Sequence, residues 1–215
     1  MRLKKIFNNP GFAVFYMFLV MGAVLLLQIH KGDIVIWINE KHNGFLDLFF
    51  RYWTFLGDGL VFAILIFIYL LINYFRAIVF TIAAISQTIV IQLLKRIFFE
   101  DMLRPRFLME NFSDLQQVQG VDIHTFSSFP SGHTATAFTV AILLSLFSRN
   151  AYITGLLIIL AALVGISRIY LLQHFFVDVY FGALLGFLNG VIVWTWMESS
   201  PICRNPAFNK GLIRK

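Results

Sequence analysis

The sequence predicts an all-α protein, an integral membrane bundle of six transmembrane helices in a single domain that covers residues 1–215. Of the 215 residues, 59% are hydrophobic and 13% are charged, whereas soluble domains carry about 25% charged residues. So little charge cannot cover a core of this size with a polar surface, which excludes a soluble globular protein. The apolar content also excludes disorder. Six separate apolar stretches are long enough to cross a bilayer, which favours a multi-pass membrane protein.

The six predicted spans are residues 12–29, 60–74 (with a start as early as Phe55), 77–94, 131–147, 152–172 and 174–196. The first span follows a basic segment, as the apolar part of a signal peptide does. Its apolar run is longer than usual for a signal peptide, and no small-residue cleavage site follows Gln28. We therefore expect the first span to be retained in the protein.

The distribution of charge predicts the orientation of the chain. Six spans place both termini on one side, and if that side is the cytoplasm, ten of the eleven acidic residues lie outside. Nine of the seventeen Lys and Arg residues then lie inside, close to the span ends, as the positive-inside rule expects. These nine are Arg2, Lys4, Lys5, Arg76, Arg149, Arg204, Lys210, Arg214 and Lys215. We expect a bacterial inner-membrane protein with both termini cytoplasmic. The basic residues that set the orientation explain the positive net charge of +6, so nucleic-acid binding is not needed to explain it. We expect membrane lipids and no nucleic acid as partners.

Two long polar segments are predicted on the outer, periplasmic side. Residues 30–59 contain an alternating piece, 33–39, and an aromatic-rich piece, 45–55, which together predict an interfacial amphipathic helix. Residues 95–130 contain no apolar run long enough to span the membrane. A long irregular segment in a compact protein is usually either functional or disordered. We expect its central part, 107–129, to influence which substrate is accepted.

Two further patterns bear on partners and cofactors. Gly182, Gly186 and Gly190 recur every four residues in the sixth span, which predicts close packing against a neighbouring span or against a second subunit in a homodimer. Cys203 is the single cysteine, so neither a disulfide framework nor a cysteine-built metal site is expected. No grouping of His, Asp and Glu has the spacing of a metal site, so we expect no metal and no cofactor. The alternative is a zinc site of two histidines and a carboxylate, which three or more surrounding cations would disfavour.

Residues capable of chemistry gather in three clusters, each at the outer end of a predicted span. All three clusters reach the same membrane face under a topology that was assigned from hydropathy and charge alone. The first consists of Lys95, Arg96, Arg104, Pro105 and Arg106, the second of Pro130, Ser131, Gly132 and His133, and the third of Ser167, Arg168, His174 and Asp178.

The second cluster has the features of a helix start that binds an anion. Pro130 and Ser131 suit the first turn of a helix, where Ser can cap free backbone amides. Gly132 lets a ligand approach the backbone closely, and the free amides with the positive dipole end attract an anion. His133 would then lie beside that anion, ready to give or accept a proton. The alternative is a plain helix cap with an interfacial histidine.

The third cluster combines a histidine with a carboxylate. His174 and Asp178 are four residues apart, so on a helix they share a face, and the carboxylate could orient the imidazole. Asp178 lies in an apolar span, where a carboxylate is costly and usually functional. The alternative is an ion pair that serves helix packing. Arg168 offers a forked donor for phosphate oxygens, but its six-residue offset from His174 requires a bend or loop between them.

The first cluster supplies positive charge. Lys95 and Arg104 could neutralise a dianion, and Pro105 stiffens the chain beside Arg104. Basic residues at a span end also extend towards lipid headgroups, and we assign that role to Arg96 and Arg106.

Together these clusters resemble the type 2 phosphatidic acid phosphatase family, whose pattern is Lys-x6-Arg-Pro, then Pro-Ser-Gly-His, then Ser-Arg-x5-His-x3-Asp. The second and third motifs match in order and in spacing, within a motif-bearing part that covers residues 95–178. The first motif departs from the pattern, because eight residues separate Lys95 from Arg104 and seven separate Arg96 from it. This leaves open which of the two reaches the phosphate, and we favour Lys95.

The resemblance implies a membrane enzyme that hydrolyses a phosphomonoester or diphosphate of a lipid and faces the periplasm. It implies that His174 is the nucleophile, that Asp178 orients it, and that His133 is the general acid and base. The residues expected to bind phosphate are Lys95, Arg104, Ser131, Gly132 and Arg168. Undecaprenyl diphosphate, phosphatidylglycerophosphate, phosphatidate and lipid A all fit as substrates. A phosphotransferase that uses the same site and a non-catalytic lipid transporter or scaffold are the alternatives.

Overall fold

The computed structural model describes residues 8–108 and 115–213, and within these ranges all regular structure is helical. Five of the inner basic residues predicted above, Arg2, Lys4, Lys5, Arg214 and Lys215, lie outside the described residues, as do residues 109–114 of the predicted outer loop. The helices are α1 (Ala13–Gln28), α2 (Asp33–Asn39), α3 (Gly44–Trp53), α4 (Gly59–Ile72), α5 (Tyr74–Leu93), α6 (Pro105–Leu108), α7 (Gly132–Ser148), α8 (Ala151–Tyr170), α9 (Phe176–Ser199) and α10 (Pro201–Arg204).

In the described part of the chain, four helical segments are long and apolar enough to cross a membrane, namely Pro10–Gln28, Tyr74–Phe98, Ala151–Tyr170 and Phe176–Ser199. A fifth candidate is a bent pair, in which Gly44–Gly57 and Gly59–Ile72 meet at 56°. The prediction of an all-helical protein is thus confirmed for the described residues, which contain four or five candidate spans where the sequence predicts six. The fourth predicted span, residues 131–147, corresponds to α7, whose 17 residues make it a shorter apolar helix.

Helix α7 is short because it lies inside the bundle rather than against lipid. Twelve of its 17 residues are buried, and it lies between α8 and α9. The glycine stripe of α9 permits this contact, since a Cβ atom on Gly182 would lie 2.6 Å from the Ser131 carbonyl oxygen and one on Gly190 would lie 2.9 Å from the Ile142 side chain. The stripe is therefore filled by α7 of the same chain, and a homodimer contact through Gly182, Gly186 and Gly190 has no free surface there.

We expect Gly182→Ala to destabilise the bundle, because the added methyl group meets backbone that cannot move aside. Overpacking of this kind costs about 1–3 kcal/mol, which should lower the thermal unfolding temperature in detergent by several degrees. Gly155→Ala in α8 is the matched control, since its Cβ atom would make an ordinary contact at 3.6 Å. Equal unfolding temperatures for the two variants would contradict the role given to the stripe.

The polar residues of α5 bind neighbouring helices, as expected for hydrogen-bonding groups between spans. The Gln87 side-chain amide lies 2.9 Å from Thr136 Oγ1 and 2.5 Å from Thr139 Oγ1 of α7. The Ser86 hydroxyl donates to Asn189 Oδ1 of α9 at 2.7 Å. These bonds fix α5 relative to the two helices that carry the second and third motifs.

The predicted interfacial segment forms two short helices, α2 and α3, which cover one end of the bundle. The Asn43 side chain caps α3 by accepting from Leu46 N. Phe50 of α3 is buried, with its ring centroid 4.7 Å from that of Tyr170 at the end of α8. The Tyr170 hydroxyl donates to Asp47 Oδ1 at 2.5 Å. Helix α3 is thereby fastened to the end of α8 that carries Arg168.

Both ends of the described chain lie at the opposite end of the bundle. Near the N-terminus, Asn9 Nδ2 donates to Thr154 Oγ1 in the first turn of α8. Near the C-terminus, the Lys210 carbonyl accepts from Tyr74 N at the start of α5. The three motifs are all at the other end, where α5, α8 and the connection to α9 meet.

Candidate active site

The three motifs meet at one cavity of about 530 Å³. Its lining includes six of the eight residues predicted to form the site, namely the Gly132 backbone and five side chains, together with His124 and Asp122. The five side chains and Gly132 belong to different parts of the chain, which approach each other through the packing of α5, α7, α8 and α9. Those predicted side chains are Lys95, Arg104, His133, Arg168 and His174.

A turn between α8 and α9 brings Arg168 and His174 to the same cavity. The Arg168 carbonyl accepts from Gln173 N at 2.9 Å and from His174 N at 3.1 Å. Leu172 adopts the left-handed conformation, with φ of 56°, which reverses the chain within a few residues. This confirms that the six-residue offset between Arg168 and His174 is bridged by a bend. The same turn orients Gln173, which accepts from Arg104.

His174 and Asp178 are adjacent because of a helix cap rather than a shared helical face. His174 precedes α9, so the prediction that both residues lie on one helix is wrong in detail. Asp178 lies in the first turn, and its Oδ2 accepts from Phe175 N at 2.9 Å and from the Ser128 hydroxyl at 2.5 Å. The same oxygen lies 3.5 Å from His174 Nδ1. Two other donors therefore hold the carboxylate in place to orient the imidazole.

The His174 imidazole is neutral and almost completely enclosed. Its side chain is 2% exposed, and burial, followed by the proximity of Arg168, holds the pKa of His174 well below its usual range. A proton on Nδ1 that points towards Asp178 leaves the Nε2 lone pair free. A neutral nitrogen with a free lone pair is what a nucleophile at phosphorus requires.

Three cations surround His174, and each is held by neutral groups. Lys95 Nζ donates to the Ser127 carbonyl at 2.7 Å. Arg104 Nη1 donates to Gln173 Oε1 at 2.7 Å and to the Gln173 carbonyl at 3.1 Å. Arg168 Nη1 donates to Thr54 Oγ1 at 2.8 Å.

No acidic side chain in the described part of the chain forms an ion pair with any of these three cations. Arg104 and Arg168 are 6% and 7% exposed, and burial of an unpaired charge is costly. In addition, Arg168 Nε is buried with no hydrogen-bond partner among the described residues. The cavity therefore has the charge and the free donors to bind a dianion.

Lys95, rather than Arg96, points into the cavity. Arg96 does not line it, and its Nε donates to Gln92 Oε1 at 3.2 Å on the exposed side of α5. Directly after α5, residues Leu94–Phe98 form a π-helix, in which Phe99 N donates to the Leu94 carbonyl. A π-turn takes up one additional residue, which helps to accommodate the longer spacing before Arg104.

At the start of α7, Ser131 and Gly132 have separate roles. Ser131 is completely buried, and its Oγ accepts from Thr134 N at 3.4 Å and lies 2.9 Å from Thr134 Oγ1. It is thus the helix cap that the sequence predicts, and it does not line the cavity. Gly132 does line the cavity, at the end of the helix where the dipole is positive.

His133 has an acidic neighbour that the sequence analysis did not identify. Asp58 caps α4 by accepting from Leu60 N at 2.8 Å, and its Oδ2 lies 3.9 Å from His133 Nε2. The preceding residue, Gly57, packs directly on His133, since a Cβ atom there would lie 2.6 Å from the His133 carbonyl oxygen. Asp58 is remote in sequence from all three motifs, so no local pattern links it to the site.

Three other residues that hold site side chains in place were not identified from the sequence, for the same reason. Ser128 binds Asp178, Gln173 binds Arg104, and Thr54 binds Arg168. Each is a common polar residue whose importance depends on a tertiary contact. Among the described residues, no group of three or more His, Cys, Asp or Glu side chains is arranged to hold a metal ion.

Comparison with known proteins identifies a family and two solved structures of similar fold. Residues 75–201 match the model of the PAP2 superfamily. The crystal structure of Aquifex aeolicus LpxE superposes with a TM-score of 0.68 at 30% identity and covers 78% of this chain and 97% of its own. The structure of a PAP2-type phosphatidylglycerolphosphate phosphatase from Bacillus subtilis gives a TM-score of 0.58 at 26% identity, with 88% and 96% coverage.

Two curated relatives match over shorter stretches. The bacitracin transport permease protein BcrC of Bacillus licheniformis is 42% identical over 87 residues, which are 39% of this chain and 41% of that protein. The lipid A 1-phosphatase of Porphyromonas gingivalis is 40% identical over 92 residues, which are 41% of this chain and 20% of that protein. The match thus spans less than half the length of either relative. The family match covers more than half of this chain, and the protein belongs to the PAP2 superfamily, as its motifs predict.

Proposed function

We propose that this protein is an integral membrane phosphatase that hydrolyses a phosphomonoester or diphosphate of a lipid through a phosphohistidine intermediate. The observation that carries the proposal is the set of three cations around the neutral imidazole of His174, namely Lys95, Arg104 and Arg168, which have no acidic partners among the described residues. Membership of the PAP2 superfamily and similarity to proteins named as lipid phosphatases support it.

In the first step, His174 Nε2 attacks phosphorus and the bond to the leaving oxygen breaks. His133 donates a proton to that oxygen, and Asp178 stabilises the positive charge that develops on His174. Lys95, Arg104 and Arg168 neutralise the three equatorial oxygens, and the backbone at Gly132 supplies further positive potential. Ser131 contributes by fixing the start of α7. The products are the lipid leaving group and a phosphohistidine.

In the second step, water attacks the phosphohistidine. His133, now deprotonated, accepts a proton from the water, the P–N bond breaks, and His174 regains its lone pair. Inorganic phosphate leaves the cavity. Every proton is exchanged between water, substrate and His133, so the cycle needs no metal and no cofactor.

Four lipids are candidate substrates: undecaprenyl diphosphate, phosphatidylglycerophosphate, phosphatidate and lipid A phosphates. We expect the purified protein in detergent to release inorganic phosphate from at least one of them, with the same rate in the presence of a chelator. A rate abolished by the chelator would contradict the metal-free cycle. Phosphate transfer only in the presence of a second lipid would identify a phosphotransferase, and binding without turnover would identify a transporter or scaffold.

The proposal includes a six-span topology in a bacterial inner membrane, with one domain, both termini cytoplasmic and the cavity facing the periplasm. It requires α4 and the interior helix α7 to count as spans. The position of both described chain ends opposite the cavity supports an even number of crossings.

The single cysteine makes this topology testable. Cys203 follows α9 at the end of the bundle opposite the cavity, and it is a free, half-buried thiol. A membrane-impermeant maleimide should label it in inside-out vesicles and not in right-side-out vesicles. The control is Lys41→Cys in a Cys203→Ser background, because Lys41 is exposed beside α3 at the cavity end, and it should give the reverse pattern. Labelling of both positions from one side would contradict the topology.

A further inference from the structure

Arg51 is a fourth cation at the cavity that the mechanism does not use. It lies in the last turn of α3, is half-buried, and lines the same cavity as His133 and His174. Its guanidinium rests on the backbone of Gly120, where a Cβ atom would lie 2.8 Å from Arg51 Nη2. Gly120 also has a positive φ of 73°. At position 120, a residue other than glycine would be strained by the positive φ, and its side chain would occupy the space of the Arg51 guanidinium. Glycine leaves that space free.

The Arg51 guanidinium carries no ion pair in the described part of the chain. Asp122 is the one acidic residue among those that line the cavity, and it forms no ion pair with Arg51. The hydrogen bonds of the described residues also include none from Arg51, whereas Arg104 and Arg168 are both held by side-chain acceptors. An Arg fixed at a cavity wall with free donors is suited to bind an anion.

The position of Arg51 relative to Arg168 and His133 indicates which anion it would meet. Thr54, which contacts Arg168, follows Arg51 by three residues, so the two lie about one helical turn apart on one face. The same segment continues through Gly57, which packs on His133. Arg51 therefore lines the cavity about one helical turn from the residue that holds Arg168, in a segment that also packs on His133.

Resting on the proposed function, we infer that Arg51 binds the second phosphoryl group of a lipid diphosphate, so that the natural substrate belongs to the diphosphate class. His174 would attack the terminal phosphorus, the bond to the bridging oxygen would break, and the leaving group would be the lipid monophosphate. Arg51 would neutralise the charge that this leaving group gains. A monophosphate would leave Arg51 without an anionic partner, whereas a diphosphate would engage it together with the primary site.

The test compares matched pairs of substrates that differ by one phosphoryl group, farnesyl diphosphate with farnesyl monophosphate and diacylglycerol diphosphate with phosphatidate. For Arg51→Ala we expect kcat/KM for the preferred diphosphate to fall about tenfold or more, the size of one charge-assisted hydrogen bond. The value for the matching monophosphate should change less than about twofold, which also verifies that the variant is folded. Arg51→Lys should recover part of the loss.

Arg96→Ala is the matched control, because Arg96 is a cation near the same end of the bundle that does not line the cavity. It should leave both members of each pair unchanged. Equal losses on diphosphate and monophosphate in Arg51→Ala, or no loss on either, would overturn the inference while leaving the phosphatase assignment intact. A wild-type protein that hydrolyses only monophosphates would also overturn it. A wild-type protein that releases phosphate from neither member of either pair would overturn this inference. It would contradict the proposed function as well only if undecaprenyl diphosphate, phosphatidylglycerophosphate and lipid A phosphates also release none.

Discussion

Replacement of His174 by Ala is expected to abolish phosphate release while the protein remains folded. The imidazole is the only group in the proposed cycle that forms a covalent bond to phosphorus, so its removal should lower kcat by about 10⁴-fold or more. The ring makes no hydrogen bond through Nδ1 to the described part of the chain. Its loss should therefore affect the unfolding temperature far less than the rate. Phosphate release in detergent and thermal unfolding are the two measurements.

The intermediate itself can be trapped with a second variant. His133→Asn retains the nucleophile but lacks the base for the second step. With a lipid diphosphate, whose leaving group needs little protonation, the variant should accumulate an alkali-stable labelled phosphohistidine. His174→Ala should accumulate none. Substantial turnover in His174→Ala would exclude this residue as the nucleophile, even if the protein is a phosphatase.

Replacement of Asp178 by Asn is the second change with a large expected effect. An amide at this position accepts weakly and presents an N–H group, so it no longer favours a proton on His174 Nδ1 or stabilises the charged imidazole. The corresponding change in a Ser-His-Asp triad lowers kcat by about 10⁴-fold, and we expect about 10³-fold to 10⁴-fold here, with KM much less affected. The steady-state kinetics of phosphate release provide the measurement.

Ser128→Ala separates the orienting role of Asp178 from its structural role. It removes one of the two donors that hold Asp178 Oδ2 but keeps the carboxylate beside His174. We expect a loss of kcat of about tenfold or less, the worth of one hydrogen bond to a charged group. A loss as large as that in Asp178→Asn would mean that the site collapses whenever this cap is disturbed, which would argue against a specific role for the carboxylate.

The sequence predicted the centre of the site well because each motif combines local geometry with chemistry. Ser131 caps α7 as its position before an apolar run indicates, and the offset between Arg168 and His174 correctly required a bend. The choice between Lys95 and Arg96 could not be made from spacing, because it depends on the π-turn in which both residues lie. Periodicity does not reveal such a turn.

The remaining differences arise from contacts between distant parts of the chain. Asp58 approaches His133, and Thr54 approaches Arg168, only because α3 and α4 fold against α7 and α8. Apolar length identified the lipid-facing helices, but it cannot distinguish them from an interior helix such as α7. The glycine stripe predicted close packing, and only the three-dimensional arrangement identified α7 as its partner.

The enclosed position of α7 has a consequence for the biogenesis of the protein. Its hydroxyl groups are unsuited to a lipid environment, and Thr139 Oγ1 is satisfied by Gln87 of α5 and by the Gly186 carbonyl of α9. Helix α9 is synthesised after α7, so a nascent chain that ends with α7 lacks one of these partners. We conclude that α7 cannot reach its final environment when it leaves the ribosome, and that the catalytic end of the bundle assembles only after the last long helix has been inserted.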